Sequence, residues 1–325
     1  MVFLSLLLLL FLGVTGVSLY YYHKTPISPS SQTNSSSVST LGDSSVNYGS
    51  NDLLSKSFID HRPSSHTCAW LETRLLPDFI GEKLGKIPAL HSINTNNLGF
   101  QSLNHQVRQV FDEMPLRADN ASEFCISVSK DSYTHLFPHD MSQNLYNTKA
   151  RKIICMGIGP LVCSPRALWE SYNSTATPTN QTSAVNLTHC AEDINQLVLQ
   201  YNAMISVGLL ELNNQLFDAK IIFCDVYQGM AESMQNPELC GFSNVRDACC
   251  WLGRYGGMVG CVSEDLACRD SSQHFWWDFY NPTQGVNALL ANWSWNGQPH
   301  RLCRPFNIQQ LASSSSAEHL NVTHP

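Results

Sequence analysis

The chain has few charged side chains and few cations. Asp, Glu, Lys and Arg make up 14% of its 325 residues, and with only 19 Lys and Arg the formal net charge is -7. No basic run and no internal repeat occur in the sequence. Proteins that bind nucleic acid need clustered cations that displace counterions from phosphates. A nucleic-acid partner is therefore excluded, and the chain is not a repeat array.

Charge is also absent from the first 22 residues. The apolar run 3–17 has the length of a secretory signal's central region, and Gly16 and Ser18 are small residues suited to cleavage. No Lys or Arg precedes that run, and the aromatic stretch 19–22 resembles an interfacial edge, which is typical of an uncleaved anchor. Residues 1–22 are predicted to be a signal peptide or an N-terminal anchor, with membrane contact only through this segment.

Composition divides the rest of the chain into three parts. Residues 23–39 are rich in Ser, Thr and Pro, which predicts a linker, and residues 313–325 predict a flexible tail. With 43% hydrophobic residues, the stretch 40–312 is long enough to bury a large core, so we expect one domain there.

Glycosylation sequons and cysteines both indicate the secretory pathway. Seven Asn-x-Ser/Thr sequons are typical of a glycoprotein, and twelve cysteines suit a compartment in which disulfides form. The predicted location is secreted, or membrane-anchored if the N-terminal segment is retained. The sequons begin at Asn34, Asn120, Asn173, Asn180, Asn186, Asn292 and Asn321.

The cysteine spacing does not predict a metal centre. The four clustered cysteines do not form two Cys-x2-Cys knuckles, so no zinc site is expected. Cys155 and Cys224 lie within apolar runs and are predicted to be buried thiols. The clustered cysteines are Cys249, Cys250, Cys261 and Cys268.

Strand and helix patterns alternate along the chain. Apolar runs at 124–128, 152–157 and 220–225 predict strands of a parallel sheet covered on both faces. Three- and four-residue spacing predicts an amphipathic helix over 191–216, with Ile194, Leu197, Tyr201, Met204, Ile205, Leu209 and Leu212 on its apolar face. Further helices are predicted at 75–84 and after Thr283.

Several motifs occur in a recognisable order. Gly42-Asp43-Ser44 lies near the start, and Asp278 followed by Asn281 lies in the stretch 273–283 near the end. Between them are the segments 150–166, 195–202, 221–227 and 248–257. From about residue 40 to residue 312, this series resembles the plant GDSL esterase/lipase family, which are SGNH-type serine hydrolases.

The resemblance implies a fold and a reaction. The fold would be a three-layer α/β/α, flavodoxin-like arrangement with a central parallel sheet and a cleft at the carboxyl ends of its strands. Ser44 would be the nucleophile and, through its backbone N–H, an oxyanion donor, while Asp278 would orient a base. The resemblance also implies an ester substrate, no cofactor, a monomer, and a disulfide between Cys163 and Cys190.

Three departures from the family pattern affect the chemistry. Asn281 stands where the family has the catalytic His, and an amide cannot accept the Ser proton. Asp131 stands where the family has the oxyanion Asn, and a carboxylate there repels a developing oxyanion. The family's second block is absent between 93–97 and 98–108, and with it an oxyanion donor; the fold is expected to lose one strand.

Other residues offer alternatives for parts of the site. His135, His139 and His274 are candidate replacement bases, provided that one reaches hydrogen-bond distance of Ser44. Trp276 and Trp277 line an acyl pocket or belong to the core, with the core favoured.

Three hypotheses about function remain open at this point. The first is a hydrolase acting through Ser44 on ester bonds of lipids or acylated cell-wall polymers, with activity low or lost. The second is a non-catalytic secreted glycoprotein that binds a glycan or lipid ester in the remnant cleft. The third is that the absent block reflects an error in the gene model.

Overall fold

The computed structural model describes residues 38–41, 74–85, 88–89, 123–127, 146–147, 150–174, 192–250, 252–259, 261 and 264–314. All of them belong to the unit Ser36–Pro325. The strands are β1 Val38–Leu41, β2 Pro88–Ala89, β3 Glu123–Ser127, β4 Lys152–Met156, β5 Lys220–Cys224, β6 Asn244–Ala248, β7 His274–Trp276 and β8 Cys303–Arg304. The helices are α1 Leu76–Lys83, α2 Pro165–Ser174, α3 Glu192–Gln215, α4 Val226–Gln235, α5 Gln284–Asn296 and α6 Ile308–Ser313.

A six-stranded sheet has the order β2-β1-β3-β4-β5-β8. The first five strands are parallel, and β8 is antiparallel to β5 at the far edge. The order 2-1-3-4-5 is that of flavodoxin-like folds, so the predicted fold class is confirmed. Instead of being lost, the edge strand next to β1 is a two-residue strand, Pro88–Ala89.

The central strands β4 and β5 are covered on both faces. Successive side chains of a strand point to opposite faces of the sheet. In β4, Ile153 and Cys155 belong to one hydrophobic cluster, whereas Ile154 and Met156 belong to another. Because both faces are buried, the sequences of these strands are continuous apolar runs. The sheet with a covering layer on each face gives the domain three layers.

Helix α3 covers one face of the sheet. Val198, Ile205, Leu209 and Leu212 are each at most 1% exposed and pack on Ile153, Cys155, Ile221 and Phe223. We call this group of eight side chains the α3 core. The helix was predicted correctly, but part of its apolar face was wrong: Ile194, Leu197 and Met204 are exposed, because the buried stripe passes through Val198 and Asn202 instead.

Helices α1, α5 and α6 contribute to the cluster on the opposite face. Ile80 of α1, Val286 and Leu290 of α5, and Ile308 of α6 are almost fully buried in it. Thr283 is the N-cap residue of α5, as predicted. None of the described helices is both long enough and apolar enough to cross a bilayer, and the apolar run 3–17 lies outside the described residues.

A disulfide joins the edge strand β8 to the sheet. Cys224 and Cys303 are register partners on β5 and β8 and are bonded to each other. The prediction of a buried thiol was therefore wrong for Cys224, because the pattern of a strand does not reveal which residue lies opposite. Cys155 is a fully buried thiol, as predicted. Cys163 is disulfide-bonded, and its predicted partner Cys190 lies outside the described residues.

A second, two-stranded parallel sheet pairs β6 with β7. Two disulfides, Cys249–Cys268 and Cys250–Cys261, brace the chain between these strands. We call the described residues of 244–283 the braced segment. Its small core consists mainly of these four cysteines and Trp277.

Candidate active site

A closed turn follows β7 and carries Asp278 and Asn281. The backbone N–H of Trp277 donates to the carbonyl oxygen of Asn281 at 2.8 Å, and the N–H of Thr283 donates to that of Phe275 at 2.9 Å. The chain then enters α5 directly. The turn is therefore held between a strand and a helix, which limits how far its side chains can move.

The carboxylate of Asp278 accepts three hydrogen bonds within this turn. Its Oδ1 accepts from the backbone N–H groups of Tyr280 at 3.1 Å and Asn281 at 2.9 Å. Its Oδ2 accepts from the side-chain Nδ2 of Asn281 at 3.0 Å. A carboxylate that accepts backbone N–H groups two and three residues ahead is a common way to stabilise a turn. Asp278 thus has a structural role in addition to any role in catalysis.

The Asp278–Asn281 hydrogen bond reproduces half of a catalytic dyad. In a Ser-His-Asp arrangement, one ring nitrogen of the His donates to the carboxylate and the other accepts the proton of the Ser. The Nδ2 of Asn281 makes the first of these contacts. The asparagine side chain then ends, so no atom corresponds to the second ring nitrogen, and a carboxamide does not titrate near neutral pH. Asn281 thus makes the orienting contact but cannot itself act as the base.

Because Ser44 lies outside the described residues, the role of His274 as a replacement base stays a prediction. Its Nδ1 lies 3.8 Å from Sγ of Cys268, and its carbonyl oxygen accepts a hydrogen bond from Oγ1 of Thr283 at 2.8 Å. His274 is the first residue of β7, whereas Asp278 lies in the turn that follows this strand. The other two candidates, His135 and His139, lie outside the described residues.

The two tryptophans before the turn are core residues. Trp276 is 1% exposed, and its Nε1 donates to the carbonyl oxygen of Val245 at 3.1 Å. Trp277 is 6% exposed and packs on the disulfide-bonded Cys249 and Cys250. The interpretation of these residues as core is confirmed, and with their rings buried they do not line an acyl pocket.

Arg166, at the start of α2, connects the turn to its surroundings. Its backbone N–H donates to the carbonyl oxygen of Phe279 at 3.3 Å, and its guanidinium lies 5.4 Å from the centroid of the Phe279 ring. Its Nη1 donates to the carbonyl oxygen of Gly257 at 3.2 Å, and its Nε donates to Glu170 at 2.7 Å. The sequence analysis missed this role, because no local pattern shows that α2 meets the turn.

Asn202 holds the segment that follows β4. Its Oδ1 accepts from the N–H of Ile158 and its Nδ2 donates to the carbonyl oxygen of Ile158, both at 2.9 Å. Asn202 is only 3% exposed and lies on the buried side of α3. The sequence offered one sign of this role, a polar residue in the buried stripe of an amphipathic helix. A buried amide needs hydrogen-bond partners, so such a residue indicates a contact with another segment.

Ser44 and Asp131 lie outside the described residues. Their segments follow β1 and β3, which are parallel neighbours with Leu41 opposite Ile126. The predictions that Ser44 is the nucleophile and that Asp131 occupies the oxyanion position therefore stay predictions.

The described residues contain one group of side chains close enough together to hold a metal ion, and its two cysteines form a disulfide. The ligand atoms of Cys249, Cys268 and His274 lie within 4.8 Å of one another. The two sulfurs are bonded to each other, and Cys250 and Cys261 form the neighbouring disulfide. Metal binding by cysteine needs the thiolate, so these four sulfurs do not provide a metal site in this state.

The fold and the turn define a class of protein. A flavodoxin-like sheet with an Asp three residues before the position of the base is the arrangement expected of an SGNH-type hydrolase scaffold. The family model of GDSL-like Lipase/Acylhydrolase matches residues 38–294, and the chain belongs to this family.

The curated relatives belong to the same family. The chain is 27% identical over 264 residues to the GDSL esterase/lipase At1g71691 of Arabidopsis thaliana, an alignment that covers 74% of this chain and 64% of that protein. It is 31% identical over 173 residues to At1g29660 and 33% identical over 168 residues to At1g29670, both GDSL esterase/lipases of Arabidopsis thaliana. These two alignments cover 53% and 52% of this chain and 44% and 43% of the relatives. The chain thus spans less than two thirds of the length of the relatives it matches.

Proposed function

We propose that the chain is an ester hydrolase of the GDSL type whose activity is low or lost. Its family acts on ester bonds, and the proposed substrates are esters of lipids or acylated cell-wall polymers, attacked by Ser44. The observation that carries the proposal is the hydrogen bond from Nδ2 of Asn281 to Oδ2 of Asp278. It supports the proposal because the side chain of Asn281 makes the contact to Asp278 expected of the base and cannot titrate near neutral pH.

The size of the defect follows from the role of the base. General-base assistance contributes roughly 10²–10⁴-fold to the rate of such reactions. Without it, the Ser hydroxyl keeps its proton and is a poor nucleophile. In the family pattern Asp131 adds a second defect, since a negative side chain opposes the oxyanion.

A second candidate is a non-catalytic secreted glycoprotein that binds a glycan or lipid ester in the cleft. Two of the sequon asparagines, Asn173 on α2 and Asn292 on α5, are exposed. Exposure is what glycosylation of these sites would require. The proposed location is extracellular, or at a membrane through the N-terminal segment, and the proposed state is a monomer.

The test is to restore the base and to measure hydrolysis of p-nitrophenyl acetate and butyrate. We expect the rate of the wild type to exceed that of Ser44→Ala only slightly or not at all. Asn281→His should increase the rate by roughly 10²–10⁴-fold, because the imidazole adds the proton acceptor that the Asp278 contact already orients. The gained rate should titrate with a midpoint near pH 6–7, in the range of a histidine, and Asn281→His/Ser44→Ala should abolish it.

Tyr280→His is the matched control, because it places an imidazole one residue away without the contact to Oδ2 of Asp278. Equal gains in Tyr280→His and Asn281→His would contradict the proposal, as would a Ser44-dependent rate in the wild type that Asn281→His does not raise. A further outcome is that Asn281→His folds and is inactive while Asn281→His/Asp131→Asn is active. In that case the natural residues Asn281 and Asp131 both limit catalysis. If both variants fold and neither is active, the binding function is favoured.

A further inference from the structure

Two arginines in the braced segment share one aromatic ring. The guanidinium carbons of Arg246 on β6 and of Arg254 in the loop after it each lie 5.2 Å from the centroid of Tyr255. Arg254 also lies 3.9 Å from the centroid of Tyr172 on α2. Two positive charges are therefore gathered around one tyrosine.

Neither guanidinium has a carboxylate partner among the described residues. Other arginines there do have one: Arg151 contacts Asp218, Arg166 contacts Glu170 and Arg74 contacts Glu82. The Nε of Arg246 is buried and has no hydrogen-bond acceptor. A buried donor without an acceptor is costly, and such a group calls for an explanation.

The loop that presents Arg254 is shaped before any ligand arrives. The disulfide Cys250–Cys261 closes it, and a bridge between Leu252 and Val259 narrows its base. At its tip, Tyr255 has a φ of 61°, a left-handed conformation that bulky residues adopt only rarely. Strain of this kind tends to occur at functional sites, where the surrounding structure maintains it.

The loop packs closely on α2 and lies beside the Asp278–Asn281 turn. A Cβ at Gly257 would overlap the carbonyl oxygen of Pro165, so only glycine permits this approach. Arg166 donates to the carbonyl oxygens of both Gly257 and Phe279. One residue thus connects the loop to the turn that holds Asn281.

We propose that Arg246 and Arg254, held by Tyr255 and Tyr172, form a binding site for the oxyanion group of a ligand, a carboxylate of an acidic sugar or a phosphate. The planar guanidinium fork matches both groups. Because the formal net charge of the chain is -7, long-range attraction does not bring anions to this surface. Recognition depends on these two side chains, and it does not require hydrolysis by Ser44.

Isothermal titration of the full chain tests this site with three probes: trigalacturonic acid, its trimethyl ester and inorganic phosphate. We expect saturable binding of the acid or of phosphate that weakens with added salt, and no binding of the ester, which lacks the charges. Preference for the acid over phosphate identifies a carboxylate as the ligand group, and the reverse identifies a phosphate. Ester binding equal to that of the acid, or no binding of either anion, overturns the proposal.

Variants separate the two arginines from general charge effects. Arg254→Gln should weaken binding of the preferred anion by about tenfold or more, since a hydrogen bond to a charged group is lost. Arg304→Gln is the matched control, an exposed arginine on β8, and should leave the affinity unchanged. Arg246→Lys keeps the charge and removes the fork, so it should weaken binding without lowering the melting temperature, whereas a purely structural Arg246 would show the opposite pattern. Equal affinities in Arg254→Gln and Arg304→Gln would also refute the site.

Discussion

The α3 core and the braced segment are stabilised in different ways. In the α3 core, apolar side chains of β4, β5 and α3 are almost completely buried against one another. The braced segment has short strands, two disulfides and a small core in which four of the members are cysteines. Burial of apolar area stabilises the first region, and covalent cross-links with hydrogen bonds to side chains stabilise the second.

The polar residues of the candidate sites lie in only one of these two regions. The braced segment carries Asp278, Asn281 and the two arginines on Tyr255, and the α3 core carries none of them. Cross-links hold a loop without depending on the identity of its other side chains, so we expect substitutions at positions such as Asn281 to cost the fold little. The α3 core has no such freedom, because its packing depends on every side chain.

The largest effect on stability is expected from a cavity in the α3 core. Ile153 is fully buried, and Ile153→Ala should lower the free energy of unfolding by roughly 2–5 kcal/mol. Denaturant unfolding measures this loss. Val207→Ala, on the exposed side of α3, is the control and should change it by less than about 0.5 kcal/mol. A loss for Ile153→Ala no larger than that of the control would remove the distinction between the two regions.

Removal of a cross-link should affect mainly the braced segment. Cys250 and Cys261 are 11 residues apart, and for a loop of that size the chain-entropy model predicts a loss of about 3 kcal/mol for Cys250→Ala/Cys261→Ala. Amide hydrogen exchange should increase at residues 252–259 and stay unchanged in β4 and β5. Cys240→Ser, outside the segment, is the control for loss of a thiol. Uniformly faster exchange across both regions would mean that they unfold as one unit.

A smaller effect is expected at the turn itself. Asp278→Asn keeps the shape of the side chain but replaces an acceptor, so that an amide faces Nδ2 of Asn281. The loss should be about 1.5–3 kcal/mol, the range of a hydrogen bond to a charged group. Thermal unfolding measures it. Asp247→Asn, whose carboxylate accepts from Asn244 at a longer 3.3 Å, should cost less, and a larger loss there would contradict the structural role of Asp278.

The smallest effect is expected at the surface beside the α3 core. The hydroxyl of Tyr146 donates to Asp218 at 2.6 Å and Nε of Arg151 donates to it at 2.7 Å. The Tyr146 hydrogen bond, followed by Arg151, lowers the pKa of Asp218 below its ordinary value of 3.8. Because the folded-state pKa is the lower one, the stabilisation is complete above the ordinary value and is lost as the pH falls through the folded-state value. The pair is exposed, so Asp218→Asn should cost less than about 1 kcal/mol at pH 7.

Denaturant titrations of wild type and Asp218→Asn between pH 7 and pH 2 measure this dependence. The difference between the two proteins should be constant above about pH 5 and should shrink below about pH 4. A difference that grows on acidification would refute the contribution of Asp218.

Local patterns were sufficient for much of the fold. Continuous apolar runs predicted β3, β4 and β5, and three- and four-residue spacing predicted α3 to within one residue at each end. The helix predicted after Thr283 was also confirmed, as α5. These features depend on residues close together in the chain, and their periodicity is visible in the sequence.

Long-range contacts were not predictable in the same way. Cys224 and Cys303 are 79 residues apart, and their pairing depends on β8 lying antiparallel to β5. The predicted apolar face of α3 included residues that are exposed in the structure. The helix has apolar residues on both sides, and only packing shows which of them are buried. The meeting of Arg246, Arg254 and Tyr172 likewise requires β6, a loop and α2 to converge.

The sequence by itself determined the family and much of the strand and helix pattern, and it predicts an amide in place of the base, because each depends on residue identity or on short-range order. Only the tertiary structure decided that Asn281 donates to Asp278, that Cys224 is cross-linked and that two arginines share Tyr255. Those contacts join atoms that come together only when distant segments pack, and no local pattern records which segments will meet.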